Sequence, residues 1–275
     1  MRVAVFADIH GNPYACKAVL EAIEKDVAAN GVFNCVVAAG DHCAAGSDPV
    51  RCIQMLQAAG VTCLYGNTEA FTLAPDETPK DQIEKANWRR NQPIFQWLRR
   101  KIGSEGLQWM QSLAFGLRVS PTPNPADDLL VVHANPKDVD RRIMPALEVQ
   151  ETILGENLET LRQPDDDPEL ADMMDGVSAA VIAFGHFHYS SIRHWRDKML
   201  VDVSPCSIAP YDHDLRARYS IFQWADQRWS VARRFVSYDT QNQARALRNS
   251  DMPEAEHYAQ YYDSTSGSDR TEAHR

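Results

Sequence analysis

Three times within the first 67 residues an apolar, β-prone run closes on a polar cluster, and each cluster precedes a helical pattern or turn. Residues 2–7 read as a buried strand ending in Asp8-Ile9-His10-Gly11-Asn12. Pro13 suits a first helical position, and Cys16, Val19, Leu20, Ile23 and Val27 form an apolar stripe that stops at Asn30-Gly31. A second strand, Asn34 to Ala39, ends in Gly40-Asp41, and Asp48-Pro49 opens a helix carrying Val50, Ile53, Leu56 and Ala59. The third strand, Val61 to Tyr65, ends in Gly66-Asn67. Strands alternating with helices in this way predict an α/β sheet whose site lies outside the carboxyl ends of its strands.

From 68 to 114 the pattern turns Pro-punctuated, charged and helical, and it reads as a cap or lid inserted into one domain spanning 1–262. Its Trp88, Trp97 and Trp109 read as packing anchors rather than substrate platforms. Leu129 to Val132 is a strand ending in His133, and 145–161 reads as helical. Gln163 to Glu169, with three consecutive aspartates, reads as a solvated loop. Val181 to Phe184 is a strand ending in Gly185-His186-Phe187-His188, and strands near 190–196, 199–203, 217–224 and 229–236 follow as a meander. Residues 239–249 suggest a final short helix, and the polar stretch 263–275 reads as a disordered tail.

The strand ends collect seven oxygen and nitrogen donors: Asp8, His10, Asp41, Asn67, His133, His186 and His188. Singly, Asp41 reads as a cap, Asn67 as a turn residue and His133 as a satisfied strand-end histidine. Jointly they read as ligands. Histidines at i and i+2 on a bare strand point to opposite faces, so Gly185 is expected to turn the chain and send both rings into one cleft. A donor set without thiolate suits Mn²⁺, Fe, Zn²⁺ or Ni²⁺. Seven donors exceed what one ion uses, and two ions about 3.5–4 Å apart can clamp the attacking and leaving oxygens of a phosphoryl displacement. The pattern therefore points to phosphoester hydrolysis.

Charge agrees with a small substrate. A net charge of −10 argues against long nucleic acid and anionic membrane as partners, so a phosphate needs local positive charge, which a metal cluster supplies. No apolar run reaches membrane-spanning length, and the first residues enter a strand without a signal-peptide pattern, so a cytoplasmic protein is expected. The six cysteines show no C-x-x-C spacing and read as reduced core residues.

The set Asp8-Ile9-His10-Gly11-Asn12, Gly40-Asp41, Gly66-Asn67, His133 and Gly185-His186-Phe187-His188 resembles the calcineurin-like metallophosphoesterases, especially their small prokaryotic phosphodiesterase branch. Asp48-Pro49, Trp97-Leu98, Leu107 to Leu113, Pro136 and Tyr238-Asp239 extend the likeness over most of the chain. The resemblance implies a four-layer α-β-β-α sandwich of two mixed sheets with a small helical cap. It assigns Asp8, His10 and His188 to a first metal and Asn67, His133 and His186 to a second, with Asp41 bridging. Asp41 and His186 are the catalytic candidates, with a hydroxide shared by the metals as nucleophile, and Asn67 and His42 the substrate-side candidates.

The implied activity is hydrolysis of phosphodiester bonds, and secondarily phosphomonoester bonds, of small molecules. A dinucleoside polyphosphate hydrolase is the alternative within enzymes. A scaffold that kept the fold and lost catalysis would lack ligands, whereas all seven positions are filled. The apolar aromatic cap suggests a homodimer.

Three departures stand out. Many relatives follow Gly-Asn with a histidine that protonates the leaving group, but here the run is Gly66-Asn67-Thr68-Glu69, and threonine is no acid at neutral pH. Substrates with acidic leaving groups are therefore expected, unless His42 or Glu69 replaces the acid. Ser204-Pro205-Cys206-Ser207 stands where relatives carry an Asn-Pro-Gly-Ser turn, which weakens a phosphate-cradling role for that loop, and Ala134 follows His133 in place of glycine. Arg141, Arg142, Arg216 and Arg218 are candidate phosphate contacts.

Overall fold

The computed structural model describes residues 1–77, 79, 82–155, 161–208 and 210–263. Its ten described strands are β1 (Arg2–Phe6), β2 (Cys35–Ala38), β3 (Thr62–Cys63), β4 (Gly116–Val119), β5 (Leu129–Val132), β6 (Val181–Phe184), β7 (Ser191–Trp195), β8 (Lys198–Asp202), β9 (Ala217–Ala225) and β10 (Arg228–Val236). They make two five-stranded sheets, ordered β10-β9-β1-β2-β3 and β4-β5-β6-β8-β7. In each, three adjacent strands run parallel (β1, β2, β3 and β5, β6, β8) and the others pair antiparallel, so both sheets are mixed.

The period-2 alternation of each strand builds the layers. From β1, Val3 and Val5 turn toward the second sheet and pack with Leu129, Val131, Val181, Ala183 and Val201. Ala4 and Phe6 turn the other way, onto Cys16, Val19 and Ile23 of α1 (Pro13–Asn30) and Leu56 of α2 (Pro49–Ala58). Beyond the second sheet, Ile182, Phe184 and Leu200 meet Leu170, Met173 and Met174 of α6 (Pro168–Met174). Each buried Val, Leu, Ile, Phe or Met side chain among these contributes roughly 1.5–3 kcal/mol relative to exposure. The result is the four-layer α-β-β-α sandwich that the sequence leads one to expect.

Both sequence-read helix starts hold. Asn12 Oδ1 accepts the N–H groups of Tyr14 and Ala15 at 3.1 and 3.0 Å, and Asp48 Oδ1 accepts that of Arg51 at 3.1 Å. In the stretch read as a cap, α3 (Asn67–Leu73) and α4 (Gln82–Gln111) form a helical unit; α4 contains Pro93 and breaks at Gly103, whose φ is 63°. Phe71, Ile94, Trp97, Leu98 and Met110 are buried there together with Leu247 of α7 (Thr240–Arg248) and Ala259 and Tyr262 of α8 (Ala255–Asp263). The aromatic residues of this unit thus share one cluster with the chain's own last helices.

Three readings need correction. The single helix read over 145–161 is interrupted: α5 covers Leu147–Ile153 and the chain leaves it at Leu154, residues 156–160 lie outside the described residues, and Leu161 is again helical. The stretch Gln163 to Glu169 is no solvated loop throughout: Gln163 is buried and accepts Met144 N–H at 2.9 Å, Asp165 pairs with Arg193, and Asp167 caps α6. Its charge run masked an Asp-Pro helix start. A final helix at 239–249 is followed by another, α8, which reaches Asp263, the first residue assigned to the tail; residues 264–275 lie outside the described residues. Among the described residues, no helix is long and apolar enough to cross a membrane, and all six cysteines are free thiols.

Candidate metal centre

The site is built from loops at the carboxyl ends of β1, β2, β5 and β6 and from the first residue of α3. Five of its residues, Asp8 (φ 60°), His10 (48°), Asp41 (56°), His186 (72°) and His188 (62°), hold left-handed backbone conformations without being glycine. Such positions cost on the order of 1–3 kcal/mol each and persist only where surrounding contacts over-determine them. The contacts are present. His10 N–H donates to the Asp41 carbonyl at 2.9 Å, His186 N–H to Asp8 Oδ2 at 3.0 Å, and His188 N–H to Ser204 Oγ at 3.1 Å. Cys206 and Ser207 donate their N–H groups to the carbonyls of Ala7 and Asp8 at 2.8 and 3.0 Å. Those amides of the Ser204–Ser207 loop thus brace the Asp8 turn rather than face a phosphate.

Gly185 is required for a different reason from the one expected. The turn that gathers the two histidines is made by the positive φ of His186 and His188 themselves. Gly185 supplies space: a Cβ there would collide with Asp8 Oδ2 and stand 2.6 Å from Ala7 Cβ. Gly40 combines both needs, with φ 90° and a hypothetical Cβ only 2.5 Å from His133 Nδ1.

All seven sequence-read ligand candidates converge. Donor atoms of Asp8, His10 and His188 lie within 4.8 Å of one another, and so do those of Asp8, Asp41 and His133. His10 donates Nδ1–H to the Ala44 carbonyl at 3.1 Å, which leaves its Nε2 as a lone pair facing His188 Nε2 at 3.1 Å. Asp8 Oδ1 is buried without a hydrogen-bond donor, 3.3 Å from that same His188 nitrogen. Electron-rich atoms meeting in this way call for a cation or a shared proton between them.

The second half repeats the logic. His133 Nδ1 donates to the Ala39 carbonyl at 2.9 Å and His186 Nε2 to the Asp140 carbonyl at 2.7 Å, so His133 Nε2 and His186 Nδ1 present lone pairs. They face Asn67 Oδ1 at 2.7 and 3.0 Å. A cation satisfies all three atoms; a turned-over Asn67, donating its NH₂ to both rings and to Asp41, would satisfy them without one. Asp41 lies between the halves, with Oδ1 3.3 Å from His133 Nε2 and Oδ2 3.7 Å from His10 Nε2.

Protonation follows from burial and crowding. Burial pushes His10 down to about 3, with His188 adding to the effect, and pushes His186 well below the usual imidazole range, with Arg142 adding. Both rings are therefore neutral, the state a metal requires. Burial, reinforced by the Glu69 and Asp8 charges, drives the Asp41 carboxyl well above its ordinary range. For Asp8 burial also acts upward, but the neighbouring His188, His133 and His10 outweigh it and hold the carboxyl low. A bound cation would reverse the sign for Asp41.

Other sequence-read candidates are placed differently. His42 is fully buried, its Nε2 on the Leu64 carbonyl at 2.8 Å and its ring against Trp109, so it does not face the cleft. Thr68 donates both N–H and Oγ1–H to Asp41 Oδ1 at 3.0 Å. Glu69 is buried and accepts the N–H groups of Asp41, His42 and Gly66 at 2.9, 3.0 and 3.0 Å, which ties the Asp41 loop to the Asn67 loop. Neither His42 nor Glu69 is presented as a proton donor to substrate. The tying role of Glu69 was legible only as a glutamate three residues after a helix-starting Gly66, the spacing of a capping box. Among the four arginines, Arg141 pairs with Asp138, Arg216 with Asp214 and Arg218 with Asp212, and Arg142 is buried with its guanidinium 6.0 Å from the Phe187 ring.

The family model described as calcineurin-like phosphoesterase matches residues 1–190, a span that holds all seven ligand candidates. The chain belongs to this family. It is accordingly a metallophosphoesterase, a hydrolase acting on ester bonds, in a family that uses divalent metals. Two solved structures share the fold of this phosphoesterase. A metallophosphoesterase from Sphaerobacter thermophilus is 17% identical over 95% of this chain and 98% of its own, with a TM-score of 0.64. The hypothetical protein PH1004 from Pyrococcus horikoshii OT3 is 16% identical over 93% and 96%, with a TM-score of 0.71. A comparison with curated proteins gives no match.

Proposed function

We propose that this phosphoesterase hydrolyses phosphodiester bonds of small molecules, with phosphomonoesters as a secondary class, at a centre of two divalent ions. Asp8, His10 and His188 would hold one ion and Asn67, His133 and His186 the other, with Asp41 shared. The observation that supports this most is Asp41 itself, whose two oxygens reach toward His10 on one side and His133 on the other. Two bound ions would supply Lewis acidity, lowering the pKa of water and polarising the phosphoryl oxygens. The nitrogen and oxygen donor set favours Mn²⁺, Fe, Zn²⁺ or Ni²⁺, with manganese the first to test.

The chain's own groups then orient the phosphate. Arg142, whose charge acts on His186 and which lies 6.0 Å from the Phe187 ring, is the candidate for meeting a non-bridging oxygen. Thr68 Oγ1–H is engaged with Asp41, so no proton donor stands ready for the leaving group there. The enzyme should favour acidic leaving groups, such as aryl phosphodiesters and nucleotide anhydrides. Hydrolysis of dinucleoside polyphosphates needs the same centre and is the second reading. The net charge of −10 favours small phosphorylated substrates over long nucleic acid, and we expect action in the cytoplasm.

The test is a series of phosphodiesters of graded leaving-group pKa with metal-reconstituted protein. Rates should climb as the leaving group becomes more acidic, and Asp41→Asn should lower them more than about 100-fold, the upper end of what outer partners of a metal site cost. Rates indifferent to leaving-group pKa would point to a protein acid, and an unimpaired Asp41→Asn enzyme would remove Asp41 from the centre.

A further inference from the structure

Two of the left-handed ligand positions, Asp8 and His10, lie in one tight turn, and Gly11 (φ 61°) follows them. The Asn12 amide closes that turn on the Ile9 carbonyl at 3.1 Å, and the Ser207 amide braces its beginning at the Asp8 carbonyl at 3.0 Å. The side chains of these two residues then meet. Asn12 Nδ2 donates to Ser207 Oγ at 2.9 Å, while its Oδ1 is occupied as the cap of α1. Ser204, in the same loop as Ser207, takes the His188 N–H at 3.1 Å. Asp8, His10 and His188 therefore all connect to this turn and loop, whereas His133 and His186 are held by the Ala39 and Asp140 carbonyls.

A third side chain arrives from the far end of the chain. The Tyr262 hydroxyl of α8 lies 3.0 Å from Ser207 Oγ and 3.5 Å from Asn12 Nδ2, so the three polar groups form a closed triangle. All three residues are buried. The Tyr262 ring sits in the apolar cluster of α4, α7 and α8, a place that a phenylalanine ring would also fill. A hydroxyl buried there is costly unless hydrogen-bonded, and a fully bonded network restricts the groups it joins to one arrangement. The groups joined here are the two ends of the ligand turn. Tyr262 lies beyond residue 190, outside the span matched by the family model.

We propose that Tyr262 is a positioning residue for the ion held by Asp8, His10 and His188: its hydroxyl locks Ser207 to Asn12 and so fixes the turn that presents the first two donors. Resting on the two-ion reading above, this role makes the C-terminal helix α8 part of the centre.

The probe is Mn²⁺ alone, titrated by calorimetry into chelator-treated protein. Tyr262→Phe keeps the ring and removes the hydroxyl, and it should weaken one of the two ions about tenfold, the lower end of what outer partners of a metal site cost. The other ion should stay within about twofold. In a His188→Ala background, where the Asn67, His133 and His186 ion remains, adding Tyr262→Phe should change affinity by less than about twofold. Ser207→Ala should reproduce the loss, and Ser207→Ala combined with Tyr262→Phe should lose no more than Ser207→Ala alone, because the two hydroxyls act as one unit. Unchanged affinity for both ions in Tyr262→Phe, an equal loss for both, or losses that multiply in the double variant overturn the positioning role. A parent protein that binds fewer than two Mn²⁺ contradicts the two-ion centre itself, and the role of Tyr262 falls with it.

Discussion

Thr68 occupies the position where an acid histidine would stand, and in the folded chain it serves Asp41 instead, donating both its amide and its hydroxyl to Oδ1 at 3.0 Å. Partners of this kind orient a ligand rather than touch the ion, and their loss costs about 10–100-fold in metal affinity. Thr68→Val keeps the shape and the amide but loses the hydroxyl, so equilibrium dialysis should show affinity weakened by about tenfold, with Thr68→Ser near the original. Unchanged affinity in the valine variant would make the hydroxyl incidental. Asp41 carries a stability prediction of definite sign. Its folded pKa lies above the ordinary 3.8, because of burial and the Glu69 and Asp8 charges, so the native state holds this proton longer than the unfolded chain. The stability tied to Asp41 is therefore full below 3.8 and lost as pH rises through the folded value. In chelator-treated protein, denaturant unfolding should find Asp41→Asn more stable than the parent at pH near 7, with the gap closing toward pH 4. A gap independent of pH, or of opposite sign, contradicts it.

At the scale of elements, the centre depends on strand ends that approach too closely for side chains between them. The last residue before the histidines, Gly185, abuts Ala7 and Asp8 at the end of β1, although β6 and β1 belong to different sheets. Gly185→Ala should cost about 1–3 kcal/mol by overpacking and weaken metal binding in the same variant. Full retention of both in thermal unfolding and metal titration would show that the loop yields freely. Much of this level was legible in the sequence: the strand-loop-helix cycles, the helix starts at Pro13 and Asp48-Pro49, and the strands carrying His133 and His186 all follow from periodicity and capping chemistry. What could not be read came from tertiary packing. α8 has a polar surrounding and forms because Ala259 and Tyr262 bury against the α4 and α7 face; α6 hides behind an aspartate run whose last member is its cap; and whether His42 faced the cleft or, as found, Leu64 and Trp109 depends on a side-chain direction no spacing encodes.

For the whole molecule, the two sheets meet at the centre. Asp8, His10 and Asp41 arrive from the first, His133, His186 and His188 from the second, and their lone pairs and carboxylates face one another across the sandwich. Residue types at strand ends were enough to nominate all seven; the pairing of lone pairs, which calls for a cation or a shared proton at His10 and His188 and for a cation or the turned-over Asn67 amide at His133 and His186, needed the hydrogen bonds of the outer nitrogens to Ala44, Ala39 and Asp140. Metal content per chain after dialysis against Mn²⁺ is the most direct test, measured in parallel on the parent protein and on Asp41→Asn. Two ions per chain in the parent, with loss of at least one in the variant, is the predicted result; less than one ion per chain in the parent, or two retained by Asp41→Asn, would contradict a centre bridged by Asp41.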